Sequence, residues 1–271
     1  MDQELNENQI DRIVNEGTPF QTTDYISQAF AIVNKNAGMF IGFTVVYLII
    51  SSIVGQIEQL IFGQLNLSIL STLLQAILIP GFFIVARRIN QGKTIDFKHF
   101  FEGSKKAQNL VGVGILVRLI GLIPVVPVLL SLFMNDNIVE QVVDFYAGLP
   151  YGEFNIPVIS TISIILFFVA IVGSFYIGVI YFFAMPLALF TTLGVWESME
   201  ASRRVASSKF FPILALSLLN MLLIIVGILM IVIGVLYMMP VVIITTYVAF
   251  EAMFQLEERE DGIDITDHFV G

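Results

Sequence analysis

Long apolar stretches recur along the chain, and each is long enough to cross a bilayer as a helix. They cover approximately residues 38–62, 67–86, 110–133, 157–195 and 211–254. A helix rises about 1.5 Å per residue, so about twenty apolar residues span the roughly 30 Å hydrocarbon core of a membrane. With 57% hydrophobic residues, 13% charged residues and a mean hydropathy of +0.88, the chain carries more apolar surface than a soluble domain of 271 residues could bury. The sequence therefore predicts an all-α polytopic integral membrane protein.

The distribution of basic residues indicates how the spans are oriented. Lysine and arginine concentrate in residues 87–106 and 203–209, whereas the connections at residues 56–66 and 134–156 contain none. Connections rich in these residues stay on the cytoplasmic side of a membrane. We therefore predict that both basic segments are cytoplasmic and that the two other connections are not.

The apolar run over residues 157–195 is too long for one perpendicular span and too short for two helices with a turn. Since the two basic segments lie on the same side, an odd number of crossings must follow the third span. We predict one crossing over residues 157–180, continued at the interface by a kinked or tilted extension over residues 181–193 that contains Pro186. Whether the run is one long helix or a broken one stays open.

The last apolar stretch is predicted to form a tight hairpin of two spans that turns between Gly227 and Gly234. The chain then has about six transmembrane helices, and both termini are cytoplasmic. The predicted parts are a disordered tail over residues 1–23, a six-helix transmembrane domain over residues 24–256 and an acidic tail over residues 257–271.

Several shorter segments have the apolar spacing of amphipathic helices that lie in the interface rather than cross it. They include residues 24–36 and, on the outer side, residues 138–146. Two cytoplasmic segments, Phe100–Lys106 and Ser198–Arg204, also share the order Glu, small residue, Ser, basic, basic. We predict that each is a short surface helix.

This shared motif also predicts ion pairs four residues apart, between Glu102 and Lys106 and between Glu200 and Arg204. Two origins of the motif stay open. It could mark an internal repeat of span, surface helix and span, or it could arise by convergence, because any interfacial helix in this topology favours such a composition.

Four features of the sequence resemble a known family. They are the helix ending in Asn34-Lys35-Asn36, the segment Asp96-Phe97-x-x-Phe100-Phe101, the segment Trp196-Glu-x-Met-x-x-Ser202 ahead of Lys209-Phe210-Phe211, and Pro240 in the last span. The pattern covers most of the chain from Tyr25 to Phe254. It resembles bacterial six-helix membrane proteins of uncharacterised role, related to the membrane domain of some glycerophosphoryl diester phosphodiesterases. The resemblance implies a module of the bacterial cytoplasmic membrane, without an established catalytic site.

Basic residues are the candidate contacts for a lipid or another anion. They are Arg118 within the third span, Arg87, Arg88, Lys105 and Lys106 in the first basic segment, and Arg203 and Arg204 in the second. A cation inside a span usually has a partner or faces water, although its long side chain can also reach the headgroups. The basic segments could hold anionic headgroups, or they could serve only to fix the topology.

The sequence offers no pattern for catalysis or for a cofactor. It has no cysteine and two histidines, and it lacks P-loop, G-x-G-x-x-G, G-x-S-x-G and H-E-x-x-H motifs. The formal net charge of -9 and the absence of a broad basic face argue against nucleic-acid binding. We therefore predict a non-enzymatic membrane protein that engages lipid or another membrane protein. The alternative is a small transporter or lipid-translocating protein that uses Arg118 and proline-kinked spans.

Overall fold

The computed structural model describes residues 5, 7–15, 20–63, 68–134, 136–152 and 156–255, and this part of the chain is built from helices. The α-helices are α1 (Glu7–Asn15), α2 (Thr22–Lys35), α3 (Ala37–Phe62), α4 (Ile69–Asn90), α5 (Ala107–Leu122), α6 (Val126–Met134), α7 (Ile138–Gly148), α8 (Thr161–Ile180), α9 (Ala184–Phe190), α10 (Val195–Ser208), α11 (Phe210–Leu229) and α12 (Ile231–Phe254). Two 3-10 helices occupy Phe97–Lys106 and Leu149–Tyr151. We call the first of these the basic 3-10 helix.

Among the described residues, five helical segments are long and apolar enough to cross a membrane. They are Ala37–Phe62, Ile69–Asn90, Thr161–Phe190, Phe210–Leu229 and Gly234–Phe254. A sixth is obtained if the bent pair Phe97–Leu122 and Val126–Met134 is counted as one span. The predicted class, an all-α polytopic membrane protein with about six spans, is therefore confirmed.

The third predicted span is broken between α5 and α6, where the helix pair bends by 45°. Pro124 lies in the three-residue break, and Pro127 occupies the first turn of α6. A proline inside a helix removes a backbone donor and collides with the preceding turn, whereas a proline in the first turn costs little. The two prolines thus account for both the end of α5 and the new start at α6.

The predicted fourth span is also broken, which answers the question that its length left open. α8 ends at Ile180, and a three-residue turn separates it from α9, where Pro186 lies in the first turn. The hydroxyl of Ser202 in α10 donates to the Ile180 carbonyl at 3.0 Å and accepts from the Phe183 backbone N–H at 3.1 Å. One buried side chain therefore bonds two backbone groups at the break, which satisfies the requirement that buried backbone groups find partners.

The predicted final hairpin is confirmed, with Met230 as the single residue between α11 and α12. A Cβ atom on Gly234 would collide with the carbonyl oxygen of Gly227. The two helices can approach this closely because both positions lack a side chain.

The tail that was expected to be disordered over residues 1–23 is in part helical, at α1. α1 packs on α10 and buries Leu5, Ile10 and Ile13. A helix of this length is marginal in water by itself, so its stability comes from the docked apolar face. The predicted acidic tail at residues 257–271 lies outside the described residues.

The predicted amphipathic helices are present as α2 and α7. The chain divides into two compact units, Met1–Ile115 with Val179–Gly271, and Leu116–Gly178. In the first unit, α12 is central and packs against α2, α3, α4 and α11. In the second, the hydroxyls of Ser131 and Ser163 lie 2.7 Å apart, and the Gln141 side chain bonds both backbone groups of Val158.

Candidate anion-binding site

A cavity of about 440 Å³ lies in the first unit, where the C-terminal ends of α4, α9 and the basic 3-10 helix converge. Its lining combines basic, acidic, amide and apolar side chains: Arg87, Arg88, Lys93, Lys105 and Lys106, then Glu102, Gln91, and finally Ile84, Leu189 and Phe190. Among the described residues of this lining, cations outnumber acids by five to one, although the whole chain is acidic. We call it the basic cavity.

Two of these cations come from the last turn of α4, a position that the helix dipole favours for positive charge. Arg87 is 8% exposed, and its guanidinium carbon lies 4.9 Å from the centre of the Phe190 ring. Such a cation–π contact orients the buried guanidinium and attaches α4 to the end of α9. Arg88 points toward the basic 3-10 helix, where its Nη2 atom is 3.4 Å from Glu102 Oε2.

The basic 3-10 helix is positioned by an aromatic anchor. Phe100 is fully buried, with its ring centre 4.3 Å from that of Phe43 and 5.8 Å from that of Phe82. Its backbone lies so close to α4 that a Cβ atom on Gly81 would overlap the Phe100 carbonyl group. This close contact fixes the helix against α4 and directs the residues that follow Phe100 toward the cavity.

The first predicted ion pair is wrong in its partner. Glu102 Oε1 lies 3.2 Å from Lys105 Nζ, three residues along, rather than pairing with Lys106. A 3-10 helix has three residues per turn, so side chains at positions i and i+3 face the same way. Lys106 instead donates to the Thr191 carbonyl oxygen at 2.9 Å, which joins the basic 3-10 helix to the end of α9.

The second predicted pair also has a different partner. Glu200 bonds Arg203, with Nε to Oε2 at 2.8 Å, while Arg204 forms its ion pair with Asp11 of α1. The hydrogen bond from Arg203 holds the pKa of Glu200 below its ordinary value. Arg204 borders a separate cavity of about 520 Å³ whose lining includes three acids, Glu7, Glu197 and Glu200.

The structure therefore brings together four of the seven predicted site residues. Arg87, Arg88, Lys105 and Lys106 share the basic cavity, whereas Arg203 and Arg204 do not line it. Arg118 lies in the second unit, in α5, and its side chain is exposed. No hydrogen bond or ion pair joins Arg118 to another residue within the described part of the chain.

Four residues of the cavity lining were not among the predicted site residues: Lys93, Gln91, Leu189 and Phe190. Lys93 had a signal, since it belongs to the same basic segment as Arg87 and Lys106. Phe190 had none, because a phenylalanine in an apolar run about a hundred residues away cannot be assigned to a site by local pattern.

A buried acid, Glu58, was also not recognised as a structural residue. It lies near the C-terminal end of α3, is 3% exposed, and accepts a hydrogen bond from the backbone N–H of Ser71 at 3.1 Å. The Ser71 hydroxyl donates to its other oxygen. Because Ser71 lies in the first turn of α4, the carboxylate satisfies donors at a helix N-terminus, where negative charge is favourable.

Comparison of the chain with known protein families, with curated proteins and with solved structures found no match. Within the described residues, no group of three or more His, Cys, Asp or Glu side chains could hold a metal ion. The basic cavity is the site whose chemistry points most directly to a ligand, namely an anion.

Proposed function

We propose that this is a non-enzymatic integral membrane protein of the bacterial cytoplasmic membrane that binds the anionic headgroup of a lipid in the basic cavity. The observation that carries the proposal is the convergence of five cations around one cavity, two from α4, two from the basic 3-10 helix and Lys93 from the connection between them. Phosphate groups are bound by such sets of arginine and lysine, which supply several N–H donors and a positive field.

The other wall of the cavity favours a lipid over a small soluble anion. Ile84, Leu189 and Phe190 give it an apolar side next to the cations. A headgroup presents phosphate oxygens next to glycerol and acyl carbons, so a mixed lining matches both parts. Basic pockets between transmembrane helices on the cytoplasmic side are known sites for anionic headgroups.

The positive-inside rule supports a cytoplasmic position for this cavity, since most of the chain's basic residues lie in the two predicted cytoplasmic segments. Both termini are then cytoplasmic. The anionic inner leaflet would provide the ligand at high local concentration.

Retention of lipid in lipid discs tests the proposal. Protein purified in discs that contain phosphatidylglycerol, phosphatidic acid and phosphatidylethanolamine is released and weighed by native mass spectrometry. We expect one anionic lipid to remain bound to the wild type. Replacing Arg88 and Lys105 together by glutamine should weaken its retention roughly tenfold or more, because each cation near an anionic headgroup contributes about 1 kcal/mol.

Arg203→Gln is the matched control. Arg203 also pairs with a glutamate three residues before it, but it lies outside the basic cavity. The Arg203→Gln variant should retain lipid like the wild type. Equal retention in the wild type and in the Arg88→Gln, Lys105→Gln double variant would contradict lipid binding at the cavity.

The transport alternative depends on Arg118 and stays a prediction from the sequence, as does binding of another membrane protein. The exposed position of the Arg118 side chain favours contact with headgroups rather than a role in a polar cavity of the bundle. The resemblance to the membrane domains associated with phosphodiesterases also stays a prediction.

A further inference from the structure

Within the part of the chain that the structure describes, a single carboxylate, that of Glu102, lies among the cations that line the basic cavity. Its Oε2 atom is 3.4 Å from Arg88 Nη2, and its Oε1 atom is 3.2 Å from Lys105 Nζ. The two oxygens thus contact one cation from α4 and one from the basic 3-10 helix. An anionic ligand would seek the same donors.

The cations at the helix ends differ in how firmly their contacts fix them. Arg87 is buried against the Phe190 ring, and Lys106 is bonded to the Thr191 carbonyl, so each has a fixed position. The pairs made by Glu102 are longer than the 2.7–2.9 Å typical of charge-assisted hydrogen bonds. The Lys105 side chain is also 74% exposed. The ion pairs of Glu102 can therefore exchange while the other two contacts remain.

We propose that Glu102 is a resident counter-ion that the phosphate of a bound ligand displaces from Arg88 and Lys105. This inference rests on the proposed function of the cavity. In the empty state the carboxylate neutralises part of the positive charge. In the bound state the ligand oxygens take its place beside Arg88 and Lys105, and Glu102 turns toward solvent.

The displacement selects ligands by their charge. A ligand with one negative charge only exchanges the single charge of the Glu102 carboxylate for another single charge beside Arg88 and Lys105. It is also repelled by Glu102, which stays nearby. A phosphate group with two negative charges gains more from the five cations than Glu102 does. The ligand class is therefore a phosphate group that can carry two negative charges, of which phosphatidic acid, a phosphate monoester, is the lipid form and inorganic phosphate is a soluble form. A phosphate diester such as phosphatidylglycerol should bind more weakly.

The test compares Glu102→Gln with Glu200→Gln in lipid discs. Glu200 holds the equivalent position in the shared motif and pairs with Arg203, but it lies outside the basic cavity. We expect the wild type to retain phosphatidic acid in preference to phosphatidylglycerol. Glu102→Gln should retain both lipids roughly three- to tenfold more tightly, an effect equivalent to one or two surface ion pairs, and should lose part of the preference. Glu200→Gln should behave like the wild type.

The outcomes separate this inference from the proposed function. If wild-type retention depends on Arg88 and Lys105 but Glu102→Gln binds no more tightly, Glu102 is not a competitor and the inference is overturned. If retention does not depend on Arg88 and Lys105, the proposed function itself fails.

Inorganic phosphate added to the discs shows whether the ligand is a lipid or a soluble phosphate. At a site for soluble phosphate, millimolar inorganic phosphate would displace the lipid, whereas a site built for lipid would not release it. Thermal unfolding of each variant checks that it is folded.

Discussion

The basic 3-10 helix and α10 share the order Glu, small residue, Ser, basic, basic, yet they fold and pack differently. In the first, Gly103 allows the backbone to lie against α4, where an added Cβ atom would be 2.8 Å from the Ile77 carbonyl oxygen. In α10 the equivalent residue is Ala201, which is buried in a regular α-helix. The serines differ as well, because Ser104 is exposed and Ser202 is buried at the break between α8 and α9.

The charges of the two segments meet different surroundings. Lys105 and Lys106 line the basic cavity, where Glu102 is the one acid among the described lining residues. Arg203 and Arg204 are each paired with an acid, Glu200 and Asp11. The pair of Arg203 with Glu200 matches that of Lys105 with Glu102, so the difference lies in the last cation of each motif. Lys106 donates to the Thr191 carbonyl, whereas Arg204 meets Asp11 of α1. A cationic motif therefore indicates a potential anion site, and an acid brought to it by another element can occupy that site. Four changes would break or sharpen this contrast.

The largest effect is expected for Gly81→Ala, which removes the close contact of the basic 3-10 helix with α4. The new methyl group would overlap the Phe100 backbone, so the two elements must separate. We expect a loss of about 3 kcal/mol, at the upper end of overpacking costs, measured as a lower midpoint of thermal unfolding in detergent. Gly55→Ala is the control, because nothing lies within 4 Å of its added Cβ atom. An unchanged midpoint for Gly81→Ala would show that the close contact is not required.

The next effect should distinguish the two serines. Ser202→Ala leaves the Ile180 carbonyl and the Phe183 N–H without the hydroxyl that bonds both. Leaving such buried groups unsatisfied costs about 1–3 kcal/mol. Ser104→Ala should cost much less, since its hydroxyl is exposed and bonds the nearby Phe101 carbonyl. Equal losses in chemical unfolding would contradict a special role for Ser202 at the break.

A smaller change is expected when α1 loses its ion pair to α10. Asp11→Asn removes the charge that meets Arg204, and exposed pairs of this kind contribute about 0.2–1 kcal/mol. Amide hydrogen exchange in α1 should accelerate by up to about fivefold, with little change elsewhere. Asp24→Asn is the control, because Asp24 lies in the first turn of α2 and not on α1. Faster exchange throughout the chain would mean that α1 does not detach as a local unit.

The smallest effect is a dependence of α10 on pH. Because the pKa of Glu200 lies below its ordinary value of 4.5, the stabilisation from its bond with Arg203 is present above pH 4.5. It is lost as the pH falls through the lowered pKa. Trp196, the one tryptophan of the sequence, lies on α10 and can report this change by fluorescence. The transition below pH 4.5 should diminish in Arg203→Gln, and an identical transition in that variant would exclude the pair as its cause.

Local sequence was sufficient to predict the spans, since a transmembrane helix is defined by the length and hydropathy of a contiguous segment. The helices α3 and α4 and the hairpin of α11 and α12 lie within a few residues of their predicted bounds. The predicted extension over residues 181–193, which contains Pro186, also begins at the break between α8 and α9. The sequence also showed that Arg87, Arg88, Lys105 and Lys106 belong to one basic segment.

Tertiary structure decided the pairing of those charges and the partners of the short helices. The arginine at position 87 meets a phenylalanine at position 190, and the lysine at position 106 reaches a carbonyl 85 residues away. α1 forms because α10 offers it an apolar surface. The sequence by itself determined which segments leave water, because hydrophobic transfer depends on local composition. Which side chains then meet depends on contacts between distant segments, and those arise only when the helices pack together.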